Sequence, residues 1–267
     1  MPASADLVTD TYPILVDTYV DSRDPDYNFG VSTTCKVVVN GSDGSLVRSL
    51  FRLPDDLPSV PPVGLVSARV WFYVWSDQTG DRNVRLHPLT TDFAEGYGDG
   101  TPADDGASWS TYDGVNPWTI PGGDYDAAVF VDAVKGTNWF SWDITGLWDN
   151  SDLRQHGAML RMNDESNPGP GHMPRAPFTS SDGPLSQQPY LEITYLPCSV
   201  TGPQAPDRPA ADINGDCLRD EVDVALFIDV LLGFQTDPFY VANSDLNGDG
   251  LTDGRDMPLF IDAFLSR

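Results

Sequence analysis

Short apolar segments recur along the first 195 residues, and they predict a protein built mainly from strands. The segments lie at residues 35–39, 49–53, 66–75, 83–88, 139–144, 158–162 and 190–195. They are separated by stretches rich in Gly, Pro, Asp and Asn, which is typical of strands joined by turns. We therefore expect an all-β body that ends near residue 195.

The run at residues 69–75 (Arg-Val-Trp-Phe-Tyr-Val-Trp) narrows the expected architecture. It has too few polar positions for a strand with one face in water, so we expect it to lie centrally between two packed sheets. This favours an antiparallel β-sandwich over a single sheet. Residues 96–126 are too long for a hairpin, and their Gly, Asp and aromatic residues predict an ordered surface loop at one end of the sandwich.

The composition changes after residue 195, which indicates a domain boundary. Prolines recur at positions 197, 203, 206 and 209 without strand or helix periodicity, as in an extended linker. Beyond it, Asp-Ile-Asn-Gly-Asp at 212–216 and Leu-Phe-Ile-Asp at 226–229 return 33 residues later as Asp-Leu-Asn-Gly-Asp and Leu-Phe-Ile-Asp. We expect four parts: an N-terminal extension (1–14), a β-sandwich (15–197), a Pro-rich linker (198–211) and a small duplicated domain (212–267).

Each repeat begins with oxygen-bearing residues at the spacing of an EF-hand-like calcium loop, which takes ligands from positions 1, 3, 5, 7, 9 and 12. The predicted ligands are Asp212, Asn214, Asp216, the carbonyl of Leu218, Asp220 and Asp223 in the first loop, and Asp245, Asn247, Asp249, the carbonyl of Leu251, Asp253 and Asp256 in the second. An ordinary acidic surface loop would have to match this spacing twice by chance. The sequence therefore predicts two calcium ions, each held by a loop followed by a helix.

The predicted helices at residues 224–232 and 257–265 are apolar on nearly every face. Either a partner protein or the rest of the chain must cover part of that surface. The Asp-x-Asn-Gly-Asp loops, with Asp at position 12 and one short apolar helix after each loop, resemble a type I dockerin over residues 212–267. The resemblance implies docking onto a cohesin-like domain of a scaffold.

A second resemblance covers about residues 16–195. The motifs Asp-Thr-Tyr-Val-Asp at 17–21, Asn-Phe-Gly at 28–30, Arg-Ser-Leu-Phe-Arg at 48–52 and Trp-Asp-Ile-Thr at 142–145 are similar to those of the DNRLRE-type carbohydrate-binding-module family. This likeness implies a jelly-roll-like β-sandwich in a secreted protein, with polysaccharide as a possible ligand.

The charge balance excludes several kinds of partner. The chain has 15 Lys and Arg against 40 Asp and Glu, and its formal charge of −25 repels nucleic acid and anionic lipid while attracting divalent cations. No apolar stretch approaches the ~20 residues of a membrane span, so none is predicted. The first ten residues carry no signal-peptide pattern. The domains themselves lead us to expect a secreted or cell-surface protein of a bacterium.

Catalysis has little support in the sequence. His87, His156 and His172 stand far apart, and no nucleophile-elbow, zinc-protease or phosphate-loop motif accompanies them. We therefore expect a protein that is not an enzyme.

The aromatic residues leave two interpretations open. Trp71, Trp75, Trp139 and Trp142 lie in predicted strands, where packing is more common than ligand contact. In the long loop, four aromatic residues either form a platform for a sugar or anchor the loop: Trp109, Tyr112, Trp118 and Tyr125.

The three cysteines suggest one disulfide. Cys198 begins the linker and Cys217 lies in the first calcium loop, whereas Cys35 belongs to an early strand. We predict a Cys198–Cys217 bridge, which would pin the linker onto the calcium domain and contribute about 3 kcal/mol in the chain-entropy model. Cys35 would then be a buried free thiol.

Two functions follow from these observations. In the first, the chain is a structural protein that assembles head to tail into a fibre through its dockerin-like domain and the strand-like stretch at 1–14. Leu7, Tyr12 and Ile14 would enter the neighbouring copy, and Pro13 would end the pairing or lie at an edge. In the second, the sandwich is a carbohydrate-binding module that its dockerin attaches to a cohesin scaffold for polysaccharide degradation.

Overall fold

A computed structural model describes residues 7–55, 57, 65–102, 104–195, 209–215 and 219–265. The chain divides into two compact units. The first comprises Thr9–Leu57 and Val66–Thr194, and the second contains the described residues of the C-terminal region. Most of the predicted linker, including Cys198, lies outside the described residues.

The first unit is built from short strands. In chain order they are β1 (Val8–Pro13), β2 (Asp17–Asp21), β3 (Tyr27–Asn28), β4 (Thr34–Val39), β5 (Leu46–Phe51), β6 (Leu65–Tyr73), β7 (Val84–Pro88), β8 (Thr101–Pro102), β9 (Val131–Asp132), β10 (Val134–Lys135), β11 (Trp139–Asp143), β12 (Ala158–Met162), β13 (Arg175–Thr179) and β14 (Tyr190–Tyr195). One helix, α1 (Ser151–His156), and 3-10 turns at Thr145–Leu147 and Leu185–Gln187 interrupt them. Each of the seven predicted segments coincides with a strand to within a few residues.

The strands form two larger antiparallel sheets. One has the order β1-β14-β6-β11-β10, and the other has the order β13-β4-β5-β12-β7-β9 with β2 also pairing with β5. A small third sheet joins β3 to β8. This mainly β, sandwich-like architecture confirms the predicted fold class at that level.

Strand β6 lies in the middle of its sheet, but only one of its faces is buried. Val70 and Phe72 point into the core and are fully buried, whereas Arg69, Trp71 and Tyr73 remain partly exposed on the other face. The prediction that this strand is covered on both faces is therefore wrong. The outward aromatic rings contact one another, so they shield much of their own apolar area without a covering layer.

Aromatic rings also fill the centre of the sandwich. Phe72, Trp142 and Phe178 come from β6, β11 and β13, and their ring centroids lie 5.8 to 6.0 Å apart in edge-to-face arrangements. Such pairs stabilise a core beyond the area that they bury. Cys35 of β4 is also buried, and its thiol is free.

A largely buried ion-pair network ties β5 to β12 and to the segment after β12. Arg48 donates from Nε and Nη2 to the two carboxylate oxygens of Glu165, at 2.9 and 2.8 Å, and Arg161 donates to Glu165 at 2.6 Å. Burial alone would raise the pKa of Glu165, but the hydrogen bonds and charges of the two arginines lower it overall. Arg48 also donates to the carbonyl of Gly122, so the same network holds the long loop.

The long loop is clamped by Asn28, which is fully buried. Its Nδ2 donates to the carbonyls of Glu95 and Ala107, and its Oδ1 accepts from the amides of Gly30 and Gly98. A Cβ at Gly30 would lie 2.3 Å from the carbonyl oxygen of Glu95, so only glycine fits there. The Asn-Phe-Gly motif thus has a structural explanation.

The second unit contains α2 (Glu221–Leu231), α3 (Pro238–Ser244) and α4 (Asp256–Leu265). Phe227 of α2 and Phe260 of α4 stack with centroids 4.2 Å apart and form its core with Ala211 and Ile213. Helices α2 and α4 overlap the two predicted helices, whereas α3 was not predicted. Its signal was Asp237 as N-cap followed by Pro238 at the first helical position. None of the described helices has the length and apolar character needed to cross a membrane.

Candidate metal centre

The first predicted loop is organised by the carboxylate at its twelfth position. Asp223 is fully buried, and its Oδ1 accepts from the amide of Ile213 at 2.7 Å while its Oδ2 accepts from the amide of Asp220 at 2.9 Å. At the start of the loop, Asp212 Oδ1 accepts from the amide of Gly215 at 2.7 Å. These two carboxylates therefore hold the backbone of the first loop in place through its amide groups.

The second loop repeats this framework position by position. Asp256 is fully buried, and it accepts from the amides of Leu246 and Asp253, both at 2.9 Å. Asp245 Oδ1 accepts from the amide of Gly248 at 2.9 Å. The duplication in the sequence is therefore a duplication of hydrogen bonds as well.

Each carboxylate group has more acceptor sites than these bonds use, because two oxygens offer about four lone pairs. Both loops present only oxygen donors among their predicted ligands, which is the donor set that Ca²⁺ prefers. Gly248 and Gly250 have φ of 72° and 87°, the left-handed conformation that lets the second loop turn tightly. The residues present therefore fit a calcium ion.

The carboxylates have not converged into a closed cluster. Among the described residues, no three Asp, Glu, His or Cys side chains lie close enough together to hold a metal ion. The predicted ligands also include Asn side chains and the backbone carbonyl of Leu251, which do not belong to these four residue types. Asp216 and Leu218 of the first loop lie outside the described residues.

Electrostatics in the first loop favours a cation. Burial raises the pKa of Asp223, the amides of Asp220, Asn214 and Ile213 lower it, and the charge of Asp212 raises it further. A raised pKa means that the surroundings of the carboxylate do not fully offset the loss of its hydration. A bound cation would stabilise the ionised form.

The four aromatic residues of the long loop do not form an open platform. Trp118 is 4% exposed and donates from Nε1 to the carbonyl of Ser108 at 2.9 Å, and the ring of Tyr112 packs against it. The guanidinium of Arg48 covers Trp109 at 5.0 Å and also approaches Tyr125. These contacts favour the alternative in which the four residues anchor the loop.

Within the predicted extension, strand β1 and Ile14 are part of the sandwich, and residues 1–6 lie outside the described residues. Among the described strands, β1 is the last of its sheet, beside β14, and it ends at Pro13. Ile14 is fully buried, and its amide donates to the carbonyl of Pro189 at 3.0 Å. The prediction that Ile14 enters a neighbouring copy is therefore corrected, because its side chain fills the core of its own chain. Leu7 is 54% exposed and Tyr12 is half-buried.

The strand tryptophans divide between core and surface. Trp142 is fully buried and donates to the carbonyl of Val84, whereas Trp71 and Trp139 are partly exposed and Trp75 is 57% exposed. Sequence reasoning favoured packing over ligand contact for these four residues. The two-residue alternation of residues 69–75 carried the missing signal, because it sets Trp71 and Trp75 opposite the buried positions. The predicted Cys198–Cys217 bridge lies outside the described residues.

Comparisons with known proteins add no assignment. No protein-family model matches the chain, and no curated protein is significantly similar to it. The likeness to a type I dockerin and to the DNRLRE-type family therefore rests on the motifs quoted for each.

Proposed function

We propose that this chain is a non-catalytic, calcium-dependent protein of the cell exterior that docks onto a protein partner through its C-terminal unit. The observation that carries the proposal is the matched pair of loops. Asp223 and Asp256 occupy the same position, are both fully buried, and accept hydrogen bonds from the same loop positions. Two loops with one framework and one donor set support two calcium ions.

The surface of the helices supports docking. Ile228 of α2 and Ile261 of α4 are equivalent in the repeat and are both 46% exposed. One turn further, Leu232 and Leu265 are 60% and 73% exposed. Exposing the same apolar positions in both repeats does not stabilise a small domain. The duplicated apolar surface therefore supports binding to a protein partner, with a cohesin-like scaffold domain as the first candidate.

Calcium dependence can be tested on the full chain because two spectroscopic signals separate its units. All seven tryptophans lie in the sandwich, between Trp71 and Trp148, whereas the longer helices lie in the second unit. We expect EGTA to lower the helical circular dichroism and its melting temperature while Trp fluorescence melting stays unchanged, and we expect calcium to restore both. Asp245→Ala should reduce the calcium response, and Asp262→Ala, which removes an exposed helical carboxylate, should not. If the helical circular dichroism did not change between EGTA and calcium, the proposal would be refuted.

A second candidate is assembly of copies into a fibre. The position of β1 favours it, because among the described strands β1 is the last of its sheet, and strand addition at such a position is a known mode of assembly. Light scattering and negative-stain microscopy with calcium test this directly. A protein that stays monomeric at high concentration excludes the fibre and leaves docking onto a different protein.

A further inference from the structure

One groove of the sandwich collects positive charge in an otherwise acidic protein. It has a volume of about 270 Å³ and is lined by residues of β4, β5 and β13 together with the end of β2. We call it the basic groove, because Arg23, Lys36 and Arg175 line it against a single carboxylate, that of Asp21. None of these residues takes part in the calcium loops or in the helix surface proposed for docking.

Two of the three cations in the basic groove have no carboxylate partner. All but three of the Lys and Arg side chains described in the sandwich have a carboxylate oxygen within 4.0 Å. The exceptions are Lys36, Arg175 and Arg154. Arg154 instead lies over the ring of Trp148, outside the groove. In a chain with 40 Asp and Glu against 15 Lys and Arg, two such cations in one groove indicate a site for an anionic ligand.

Neighbouring side chains hold the two cations in place. The Lys36 ammonium lies 4.3 Å from the ring centroid of Tyr19, and Arg175 donates from Nε to Oε1 of Gln78 at 2.9 Å. Burial lowers the pKa of Lys36, and the charge of Asp21 opposes this effect. A ligand carboxylate would therefore stabilise the charged ammonium and would meet donors that are already positioned.

Strand pairing sets the spacing of the two cations. In the pairing of β4 with β13, Lys36 lies opposite Pro177. Arg175 lies opposite Val38, so Lys36 and Arg175 are diagonal neighbours about 7 to 8 Å apart. Alternate side chains of an extended peptide point to the same side and are about 7 Å apart. Glutamates at positions i and i+2 of such a peptide match this spacing, and Val38, Val47 and Pro177 offer an aliphatic floor to their methylene groups.

The lining of the basic groove distinguishes between kinds of anionic ligand. Among the described residues, those that line it include no aromatic side chain, so a sugar ring would have no surface on which to stack. Two copies of a chain with a formal charge of −25 repel each other, which disfavours a second copy as the ligand. Screening at physiological salt limits the repulsion of a short segment to about 8 Å. We propose that the basic groove binds a short, extended Glu-x-Glu segment of a partner protein.

The test is fluorescence anisotropy of a labelled Glu-Ser-Glu-Ser-Glu peptide titrated with the full chain at low salt. We expect saturable binding that 0.5 M NaCl weakens, and no binding of the matching Gln-Ser-Gln-Ser-Gln peptide. Lys36→Gln and Arg175→Gln should each weaken binding about tenfold or more, through the loss of a hydrogen bond to a charged group. Arg154→Gln is the matched control, because it removes the same charge outside the groove and should bind like the unmodified protein.

Fluorescence melting shows whether each variant is folded, and the exposed Arg175 carries the test alone if Lys36→Gln is not. The proposal is overturned if the glutamate peptide does not bind, if the groove variants bind normally, or if Arg154→Gln weakens binding equally. Tighter binding of oligogalacturonate than of the peptide would also overturn it, since the ligand would then be an acidic sugar. Light scattering tests the remaining occupant, because a dimer that Lys36→Gln abolishes would assign the groove to a second copy and overturn the proposal.

Discussion

Replacing Asp17 with asparagine should remove a large part of the pH dependence of the sandwich. Asp17 is 1% exposed and accepts hydrogen bonds from the amide of Ser181 at 2.7 Å and from Cys35 Sγ at 3.3 Å. Burial raises the pKa of Asp17 from 3.8 to about 7, and the charges of Glu95 and Asp182 add to the rise, while the two hydrogen bonds oppose it. The native state therefore holds this carboxyl in its protonated form at mildly acidic pH.

The sign and size of the effect follow from linkage. Because the pKa is higher in the folded than in the unfolded chain, the stabilisation is complete below pH 3.8 and is lost as the pH rises through about 7. Each pKa unit corresponds to about 1.4 kcal/mol, so the full loss approaches 4 kcal/mol. An asparagine at position 17 does not ionise, and its side-chain oxygen can still accept from Ser181.

The assay is urea unfolding followed by Trp fluorescence at constant calcium between pH 4 and 8, which reports the sandwich alone. Asp17→Asn should gain stability relative to the unmodified protein by up to about 4 kcal/mol across this range. Glu95→Gln is a second variant for the same assay, because burial also raises the pKa of Glu95, and Glu95 Oε1 accepts a hydrogen bond from the amide of Asp17. The reasoning would be refuted if the difference in unfolding free energy between Asp17→Asn and the unmodified protein were the same at every pH.

Two further predictions concern the sandwich. Glu165→Gln should destabilise it by about 3 to 5 kcal/mol in urea unfolding, because Arg48 and Arg161, which are largely buried, lose their shared carboxylate. Asp164→Asn, next to it and 53% exposed, should have a much smaller effect, and equal effects would contradict the network. Gly157→Ala should cost about 2 to 3 kcal/mol, because Gly157 has φ of 83° and a Cβ would lie 2.1 Å from the Phe51 carbonyl oxygen. Gly146→Ala, with open space around it, should be near neutral in thermal unfolding.

The strands could be predicted because their burial follows local alternation. The segment at 158–162 matched β12 residue for residue, since it is a short run that is apolar at every position except Arg161. Strand β13 escaped prediction because Pro177 and a charged first residue weaken its pattern. It becomes a strand through pairing with β4, which is tertiary information.

The surface sites could not be predicted in the same way. Trp118 and Trp139 are the same type of residue, yet Trp118 is buried within the long loop and Trp139 is partly exposed on the outward face of β11. Which tryptophan is exposed depends on strand register and on the loop that folds over the sheet. The predicted loop ligands depend on less tertiary information, because the spacing of an EF-hand-like loop is local and lies within twelve residues.

If the second unit binds calcium as proposed, its small size makes calcium part of its folding. Its described core rests on few fully buried apolar side chains, chiefly Ile213, Phe227 and Phe260, and a unit of this size rarely gains enough stability from a core alone. The same core lies beside Asp223 and Asp256, whose burial is unfavourable without compensation. On the proposal that calcium provides it, the binding free energy becomes folding free energy. The exposed apolar positions of α2 and α4 would then be set in one arrangement only when calcium is bound, so that docking follows the calcium concentration outside the cell.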